Sequence, residues 1–348
     1  MELWISIPLL LIGFLFLVKG ADWFVDGAAG IAEKLHVPTL IVGLTVVSFG
    51  TSAPELANSI RSAAQGSGDI AIGNVLGSNI TNILLILGLA SVICPLTVQK
   101  SALKFDFPVL LGTSVLILLL GAIDGDLGAL DGWIMFLLSM AYMVFLVWYA
   151  IQESKKKPKM QSLDTSHTVA VFEKDKDVEP QTGFKGWYEK MKAYGWFLAT
   201  ITVVGLGLVI VGAVFCVVPA AKAIAADLGM SENVIGLTVV AIGTSLPELV
   251  TCVVAARKGE TDIAVGDIVG SNVFNVLRTL GLSAAIIPLT FSPSFVVDGV
   301  IALGAAAILA VFGYMKGHKV QRWGGIIMLA CFVAYYVYLF ALQPALFG

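Results

Sequence analysis

The sequence predicts an all-α integral membrane protein with ten transmembrane helices, arranged as two inverted-topology repeats of five helices each. Hydrophobic residues make up 58% of the 348 positions and charged residues only 13%, far from the balance of a soluble protein. Ten stretches reach the length of about 20 mostly apolar residues that a membrane-spanning helix needs. In addition, one motif-rich region occurs twice, 193 residues apart.

The ten predicted spans use nearly the whole chain. They lie at about 3–25, 37–63, 70–93, 107–123, 130–150, 194–218, 234–256, 263–287, 295–314 and 323–342. The first stretch opens with Glu2 instead of a basic region, and no small-residue cleavage pattern precedes Lys19. We therefore interpret it as the first span and not as a secretory signal peptide.

A polar stretch between the fifth and sixth spans sets the predicted orientation. Residues 152–192 are rich in lysine, and the positive-inside rule places such a loop in the cytoplasm. Counting spans outward from this loop puts most other basic residues on the same side, with Arg61 and Lys222 as exceptions, and puts both termini outside. We expect a multi-pass protein of the cell membrane, with 152–192 as a linker between repeats at 1–151 and 193–348.

Residues 43–88 and 236–281 are the two copies of the repeated region. They align without a gap, and about half of the aligned positions are identical. GLTVVSFGTSAPEL in the first copy corresponds to GLTVVAIGTSLPEL in the second. Because each half holds an odd number of spans, the second copy must enter the membrane upside down. Inverted repeats are typical of secondary transporters, which bind their ions near the middle of the membrane.

Each copy contains a Gly-Thr-Ser-x-Pro-Glu motif inside a predicted span. Pro54 and Pro247 are predicted to break their helices, because proline lacks an N–H donor and clashes with the preceding turn. The acids that follow, Glu55 and Glu248, then begin a new half-helix, where the helix dipole favours an anion. A carboxylate within the membrane is costly, so we expect both acids to be functional.

Neutral oxygens accompany both acids. Hydroxyls of the motif and carbonyls freed by the prolines are the hard ligands that Ca²⁺ prefers and that Na⁺ also uses. Further along, Ser78 with Asn82 and Ser271 with Asn275 lie one turn apart on a helix face. These four residues are interpreted as ligands, with hydrogen bonding between helices as the alternative. The nearby Gly-x-x-x-Gly pairs, at 73–77 and 266–270, are interpreted as close helix contacts.

Two positions break the symmetry of the copies. Asp267 stands where the first copy has Asn74, and Arg278 stands where it has Leu85. Asp267 is either a vestibule carboxylate that attracts cations or an ordinary acid near a helix start. Arg278 either extends to the outer aqueous face or adds positive potential near the external opening and weakens ion binding there.

The motifs GTSAPE with GNVLGSNITN, and GTSLPE with GDIVGSNVFN, resemble those of the sodium/calcium exchangers in the Ca²⁺/cation antiporter superfamily. The resemblance implies ion sites shared between the repeats, and alternating access in which spans one and six slide past a fixed core. The implied cation-binding residues are Thr51, Ser52, Glu55, Ser78, Asn82, Thr244, Ser245, Glu248, Ser271 and Asn275.

The same resemblance guides the choice of ions. Potassium-transporting members tend to carry an acid where this chain has Asn275, which favours K⁺-independent exchange. Proton-coupled members typically show GNxxE, whereas this chain has GTSxPE twice, which favours Na⁺. The two positive charges of one Ca²⁺ equal the negative charge of the two glutamates, whereas three Na⁺ carry one positive charge more. Exchange of three Na⁺ for one Ca²⁺ is therefore expected to be electrogenic. A proton-coupled Ca²⁺ antiporter and a cation channel remain alternatives.

Other functional classes find little support. The cysteines and histidines show no metal-ligand or disulfide spacing, and no enzyme-like arrangement of catalytic residues is present. We expect no resident cofactor, since Ca²⁺ and Na⁺ are transported ions. The expected partner is the lipid bilayer, with no nucleic acid and no obligatory protein partner.

Overall fold

The computed structural model describes residues 3–156, 188, 190–228 and 241–342, and these are almost entirely helical. The first half contains α1 Leu3–Leu35, α2 Thr39–Thr51, α3 Ala53–Ala64, α4 Gly68–Ile93, α5 at 102–124 and α6 Ala129–Lys156. The second half contains α7 Gly195–Asp227, α8 Ala241–Thr244, α9 Leu246–Arg257, α10 at 261–286, α11 Pro293–Tyr314 and α12 Arg322–Leu342. The short strands are β1 Leu96–Thr97, β2 Asp126–Leu127, β3 Leu289–Thr290 and β4 Lys319–Val320.

Seven of the described helices are long and apolar enough to cross a membrane, and the bent pair α2–α3 makes an eighth. This establishes an all-helical membrane protein. Of the two other predicted spans, one corresponds to α10, whose interior carries several polar residues and which is therefore less apolar. The other begins at 234, and its first residues lie outside the described part of the chain, so ten spans stay a prediction.

The predicted linker at 152–192 begins too early. Residues 152–156 still belong to α6, since polar residues of high helix propensity such as Glu153 and Lys155 continue it for a final turn. Most of the linker, 157–187 and 189, lies outside the described residues, as does the start of the second motif copy, 236–240.

The first helices of the two halves, α1 and α7, cross at glycines. A Cβ on Gly20 would lie 2.7 Å from the carbonyl oxygen of Gly205, and one on Gly205 would lie 2.6 Å from that of Gly20. Further along, a Cβ on Gly212 would lie 2.8 Å from the carbonyl oxygen of Gly13. Since higher numbers in α1 meet lower numbers in α7, the helices run antiparallel. Small residues let the two backbones touch, as is common where helices pack within membranes.

The four short strands also pair between the two halves of the chain. β1 pairs with β4 through Leu96 and Val320, and β2 pairs with β3 through Leu127 and Leu289. Leu96 and Leu289 are equivalent positions of the 193-residue repeat, and so are Leu127 and Val320. The repeat relates the β1–β4 pair to the β3–β2 pair. Within the described residues, the two strand pairs are therefore equivalent under the 193-residue repeat.

Helix α10 lies at the centre of the molecule, and every residue from 263 to 274 is buried. It packs against α2 through glycines. A Cβ on Gly266 would lie 2.6 Å from the Leu40 carbonyl oxygen and 2.9 Å from the Leu44 nitrogen, and Gly270 lies as close to Leu44 and Ser48. The predicted close contact is confirmed for this copy. The residues that would face Gly73 and Gly77 by symmetry, 233–241, are largely outside the described part.

Charged side chains join α1 to the turn between α9 and α10. Lys258 Nζ lies 2.6 Å from carboxylate oxygens of both Asp22 and Asp26. Lys192, just before α7, lies 3.0 Å from the other oxygen of Asp26. These pairs are partly exposed, so each contributes modestly to stability. They tie one end of α1 to the central helices.

The glycine contact predicts a specific sensitivity. Gly266→Ala would push a methyl group into the α2 backbone, which cannot yield as a side chain can, at a cost of about 1–3 kcal/mol. We expect the thermal unfolding midpoint of the purified protein in detergent to fall. Gly304→Ala in α11 is the matched control, because a Cβ there meets no described atom within 4 Å. Equal midpoints for the two variants would contradict the packing argument.

Candidate functional site

Two helix breaks create the centre of the molecule. Ser52 separates α2 from α3 with a bend of 46°, and Ser245 separates α8 from α9. Both serines have nearly the same backbone angles, φ −81°, ψ 7° and φ −90°, ψ 9°. Pro54 and Pro247 follow in the first turn of the new helices, where proline's missing donor does no harm.

Glu55 and Glu248 lie in the first turns of α3 and α9, and each is 1% exposed. The free N–H groups and the positive end of a helix favour an anion at this position. The break thus explains how each acid can be kept within an apolar interior. It also directs both carboxylates toward the opposite half of the chain.

Each glutamate is held by the serine of the other half. Ser52 Oγ donates to Glu248 Oε1 at 3.1 Å, and Ser245 Oγ donates to Glu55 Oε1 at 3.3 Å. Ser52 Oγ also lies 2.9 Å from Ser271 Oγ, and Ser245 Oγ lies 3.5 Å from Ser78 Oγ. The structure therefore brings the serines and glutamates of both motifs into one buried cluster.

Four asparagines join α4 to α10 beside this cluster. Asn79 Nδ2 donates to the Asn272 carbonyl oxygen at 3.1 Å, and Asn272 Nδ2 donates to that of Asn79 at 3.0 Å. Asn82 Nδ2 donates to Asn272 Oδ1 at 3.0 Å, and Asn275 Nδ2 donates to Asn79 Oδ1 at 3.2 Å. The bonds form two symmetric pairs, so the interhelical alternative describes the amide nitrogens correctly.

The side-chain oxygens of Asn82 and Asn275 take no part in these hydrogen bonds. Within the described residues, Asn82 Oδ1 and Asn275 Oδ1 are buried without a hydrogen-bond partner, and so are Glu55 Oε2 and Glu248 Oε2. Buried acceptors are normally satisfied, so four exceptions in symmetric pairs call for an explanation. Carboxylate and amide oxygens are ligands for hard cations such as Ca²⁺ and Na⁺. The donor set fits such an ion.

The site is poor in formal charge for a metal centre. No group of three or more His, Cys, Asp or Glu side chains among the described residues could hold a metal ion. The four cysteines are free. A cation here would depend on two glutamates at most, with neutral oxygens completing its shell.

The two motif threonines lie at the edge of the cluster. Thr51 is fully buried, and its Oγ1 lies 3.1 Å from the Val47 carbonyl oxygen and 3.0 Å from Asp267 Oδ1. Thr244 ends α8 and is half-buried. Of the ten implied ligands, eight are joined by the hydrogen bonds above, Thr51 adjoins them through Ser52, and Thr244 adjoins them through Ser245.

Asp267 lies neither in a vestibule nor at a helix start. It is 0% exposed, about two turns into α10, and faces Thr51 across the contact with α2. Both sequence-based interpretations are therefore wrong, because the glycines of α10 bring α2 close enough to cover this carboxylate.

Arg278 does not reach water either. The residue is 3% exposed, and its guanidinium lies over the rings of Phe49 and Phe274, with centroids 4.2 and 5.2 Å away. No described residue accepts a hydrogen bond from its three side-chain nitrogens. A position at an external opening is thus wrong, because neighbouring helices enclose the side chain.

Asn79 and Asn272 are functional candidates that sequence reasoning missed. Each lies next to a chosen serine, and the two are related by the same 193-residue spacing. That recurrence was a usable signal. Two pairs of aspartate and tyrosine were missed as well: Tyr142 donates to the buried Asp106 at 2.8 Å, and Tyr335 donates to the partly buried Asp298 at 3.2 Å.

Comparison with known proteins decides the family. A model of the family described as sodium/calcium exchanger protein matches residues 5–148 and again residues 198–341. The two matches are separated by the same 193 residues as the motif copies. The chain belongs to the sodium/calcium exchanger family.

Individual members of the family are similar over their full length. The chain is 34% identical over 346 residues to the inner membrane protein YrbG of Escherichia coli, covering 98% of this chain and 99% of that one. It is 34% identical over 354 residues to the sodium/calcium exchanger MaX1 of Methanosarcina acetivorans, covering 97% and 99%. A solved structure of the sodium-calcium exchanger NCX_Mj, soaked with zero Na⁺ and Ca²⁺, matches with a TM-score of 0.78 and 28% identity, covering 97% and 100%.

These findings identify a prokaryotic-type exchanger, a membrane protein that carries cations including Ca²⁺ by antiport. Its relatives are transporters and exchangers, in agreement with the absence of an enzyme-like motif from the sequence. The buried cluster around Glu55 and Glu248 is its candidate ion site.

The buried guanidinium gives a prediction about stability. Arg278→Leu introduces the residue found at the equivalent Leu85. An unpaired buried charge costs several kcal/mol, whereas ring contacts return about 0.5–2 kcal/mol. We therefore expect the thermal unfolding midpoint to rise. The exposed Arg61→Leu serves as control, and a midpoint that falls further in Arg278→Leu than in the control would contradict this assignment.

Proposed function

We propose that the chain exchanges Na⁺ for Ca²⁺ across the membrane by alternating access, with both ions competing for the site between the two motifs. The observation that carries this proposal is the set of four unpartnered buried oxygens, from Glu55, Glu248, Asn82 and Asn275. A divalent ion cancels the charge of both glutamates. Na⁺ uses the same oxygens at lower charge.

The hydroxyl groups complete this proposed site. Ser52 and Ser245 each have oxygen lone pairs free beyond the bonds to the glutamates. Ser78 and Ser271 stand behind them at hydrogen-bond distance. Because Ca²⁺ takes six to eight oxygens, two carboxylates, two amides and the nearby hydroxyls supply enough ligands.

Two inverted repeats of five spans are proposed as the frame of the transporter. The antiparallel crossing of α1 and α7, the swapped strand pairs and the doubled family match all support this arrangement. The proposed domains are 1–151 and 193–348, joined by the linker 152–192. Alternating access would then exchange the roles of the two halves, with α1 and α7 sliding past the central helices.

Orientation follows from the basic residues. We place the linker 152–192 in the cytoplasm and both termini outside, in the cell membrane. In support of a membrane location, one relative is named an inner membrane protein. Under this orientation the turn with Lys258 faces the cytoplasm.

The proposed coupling ion is Na⁺, without a requirement for K⁺. Asn275 supports this choice, since its side chain is neutral and its nitrogen is engaged by Asn79. The relative MaX1 is named a sodium/calcium exchanger. Because three Na⁺ exceed the charge of one Ca²⁺, exchange at that ratio is electrogenic.

The glutamates provide the first test. Glu55→Gln or Glu248→Gln leaves one carboxylate unmatched against Ca²⁺, and loss of one partner of a buried ion pair costs about 3–5 kcal/mol, so Ca²⁺ exchange should fall at least a hundredfold. ⁴⁵Ca²⁺ uptake into proteoliposomes measures this. The exposed Glu33→Gln is the matched control. Wild-type exchange by either site variant would remove the glutamates from the site.

The coupling ion provides the second test. Proteoliposomes containing the purified chain are given outward gradients of Na⁺, K⁺ or H⁺ in turn, and ⁴⁵Ca²⁺ uptake is followed. We expect uptake only with Na⁺, accelerated by an inside-positive potential, because three Na⁺ leaving for one Ca²⁺ entering export one net positive charge. Uptake driven equally well by a proton gradient would overturn the sodium assignment. Uptake without any counter-ion would indicate a channel.

A further inference from the structure

One position breaks the symmetry of the ion site. The bonds among serines, glutamates and asparagines recur in both halves, but Asp267 replaces Asn74. Asn74 Nδ2 donates to Ser59 Oγ at 3.0 Å and is partly buried. At the matching place beside Asp267 the second half has Cys252, whose thiol is a weak hydrogen-bond donor. The amide is satisfied within its own half, whereas the carboxylate is not.

Asp267 faces the ion site instead. Its Oδ1 lies 3.0 Å from Thr51 Oγ1, and Thr51 precedes the serine that holds Glu248. A hydroxyl carries one hydrogen, and Thr51 Oγ1 also lies 3.1 Å from the Val47 carbonyl oxygen. The hydroxyl can therefore satisfy only one of the two acceptors at a time. Asp267 Oδ2 has no partner at all among the described residues.

Among the described residues, no positively charged side chain forms an ion pair with Asp267. Arg278, on the same helix, is eleven residues further on, roughly 16 Å along a helix axis, and lies over two rings. A buried carboxylate that is neither paired nor solvated is strongly disfavoured. Such a carboxyl group needs either a proton or a cation to neutralise it.

Asp267 does not join the two glutamates around one ion, since no three acidic side chains of the described residues converge on a metal position. Its neighbours are Thr51 and, one turn along α10, Ser271. One carboxylate with hydroxyl oxygens balances a single positive charge. The chemistry of this corner suits a monovalent cation next to the position between the glutamates.

We propose that Asp267 binds a monovalent cation together with Thr51, so that the half-site of Glu248 holds one more Na⁺ than its symmetric counterpart beside Asn74. This inference rests on the proposed Na⁺/Ca²⁺ exchange. With Asp267 included, three carboxylates meet three monovalent cations, while the two glutamates alone meet one Ca²⁺. The additional acid makes Na⁺ and Ca²⁺ differ in the residues that they need.

The test separates the charge of Asp267 from its hydrogen bond. Asp267→Asn keeps an oxygen that can accept from Thr51 but removes the charge, so a purely structural role would survive. Asp262→Asn is the matched control: it removes a carboxylate from the same helix, at a position bonded to Gln99 and Thr39 and not to the site. All variants are full-length chains in proteoliposomes.

Two fluxes are measured on each variant. We expect the Na⁺ concentration that half-saturates Na⁺-driven ⁴⁵Ca²⁺ uptake to rise about tenfold in Asp267→Asn, the effect of losing about 1.4 kcal/mol. The dependence of this uptake on Na⁺ concentration should also become less steep, while Ca²⁺/Ca²⁺ exchange without Na⁺ persists. Unchanged Na⁺ dependence would overturn the proposal. So would an equal loss of both fluxes, which would assign Asp267 to the Ca²⁺ position or to folding.

Direct binding keeps the result independent of transport. Equilibrium binding of ²²Na⁺ to the detergent-solubilised protein should lose one ion per chain in Asp267→Asn and none in Asp262→Asn. If Na⁺ gradients drive no exchange in the wild type, the proposed function fails, and this binding count still decides the role of Asp267. The same count in both variants would refute it.

Discussion

The amide groups of Asn79 and Asn272 join the halves of this protein, and the arrangement of the ion site follows from their contact. Each side-chain amide donates to the backbone carbonyl oxygen of the other residue. A carbonyl oxygen has two lone pairs, so it can accept this bond in addition to a hydrogen bond within its own helix. Their remaining oxygens then take the amide nitrogens of Asn275 and Asn82. Among the described residues, this leaves the side-chain oxygens of Asn82 and Asn275 without a hydrogen-bond partner, and these oxygens are the ones available to a cation.

Much of this arrangement can be predicted from the 193-residue spacing of the two copies in the sequence. The constant spacing of the copies identifies equivalent residues, and proline before glutamate predicts where each helix breaks. Spacing does not, however, show which residues of the two copies contact each other. Asn79 does not stand out in the sequence, because its neighbours Ser78 and Asn82 already give a sufficient ligand pattern without it. The cross-pairing depends on how close α4 and α10 approach, and that distance is set by three-dimensional packing.

Charged residues in spans were the least predictable part. From the sequence, Asp267 is expected in a vestibule or near a helix start, and Arg278 is expected near the outer aqueous face, since isolated membrane charges usually reach water. The structure encloses both. For Asp267 the cause is the glycine face of α10, which admits the α2 backbone. For Arg278 the cause is the pair of rings from Phe49 and Phe274. In each case the environment comes from a residue distant in sequence or from the absence of a side chain.

The crossing of α1 and α7 has a mechanical consequence. At Gly13, Gly20, Gly205 and Gly212 each helix lies so close to the other that a Cβ would have no room, so a displacement of one helix is transmitted to the other through close-packed atoms. Asp22 and Asp26 on α1 contact Lys258, in the turn between α9 and α10, and Asp26 also contacts Lys192, just before α7. A shift of α1 and α7 past the central helices therefore has to break the pairs with Lys258, whereas Lys192 lies next to α7 in the chain. Because these pairs are partly exposed, they oppose such a shift only weakly.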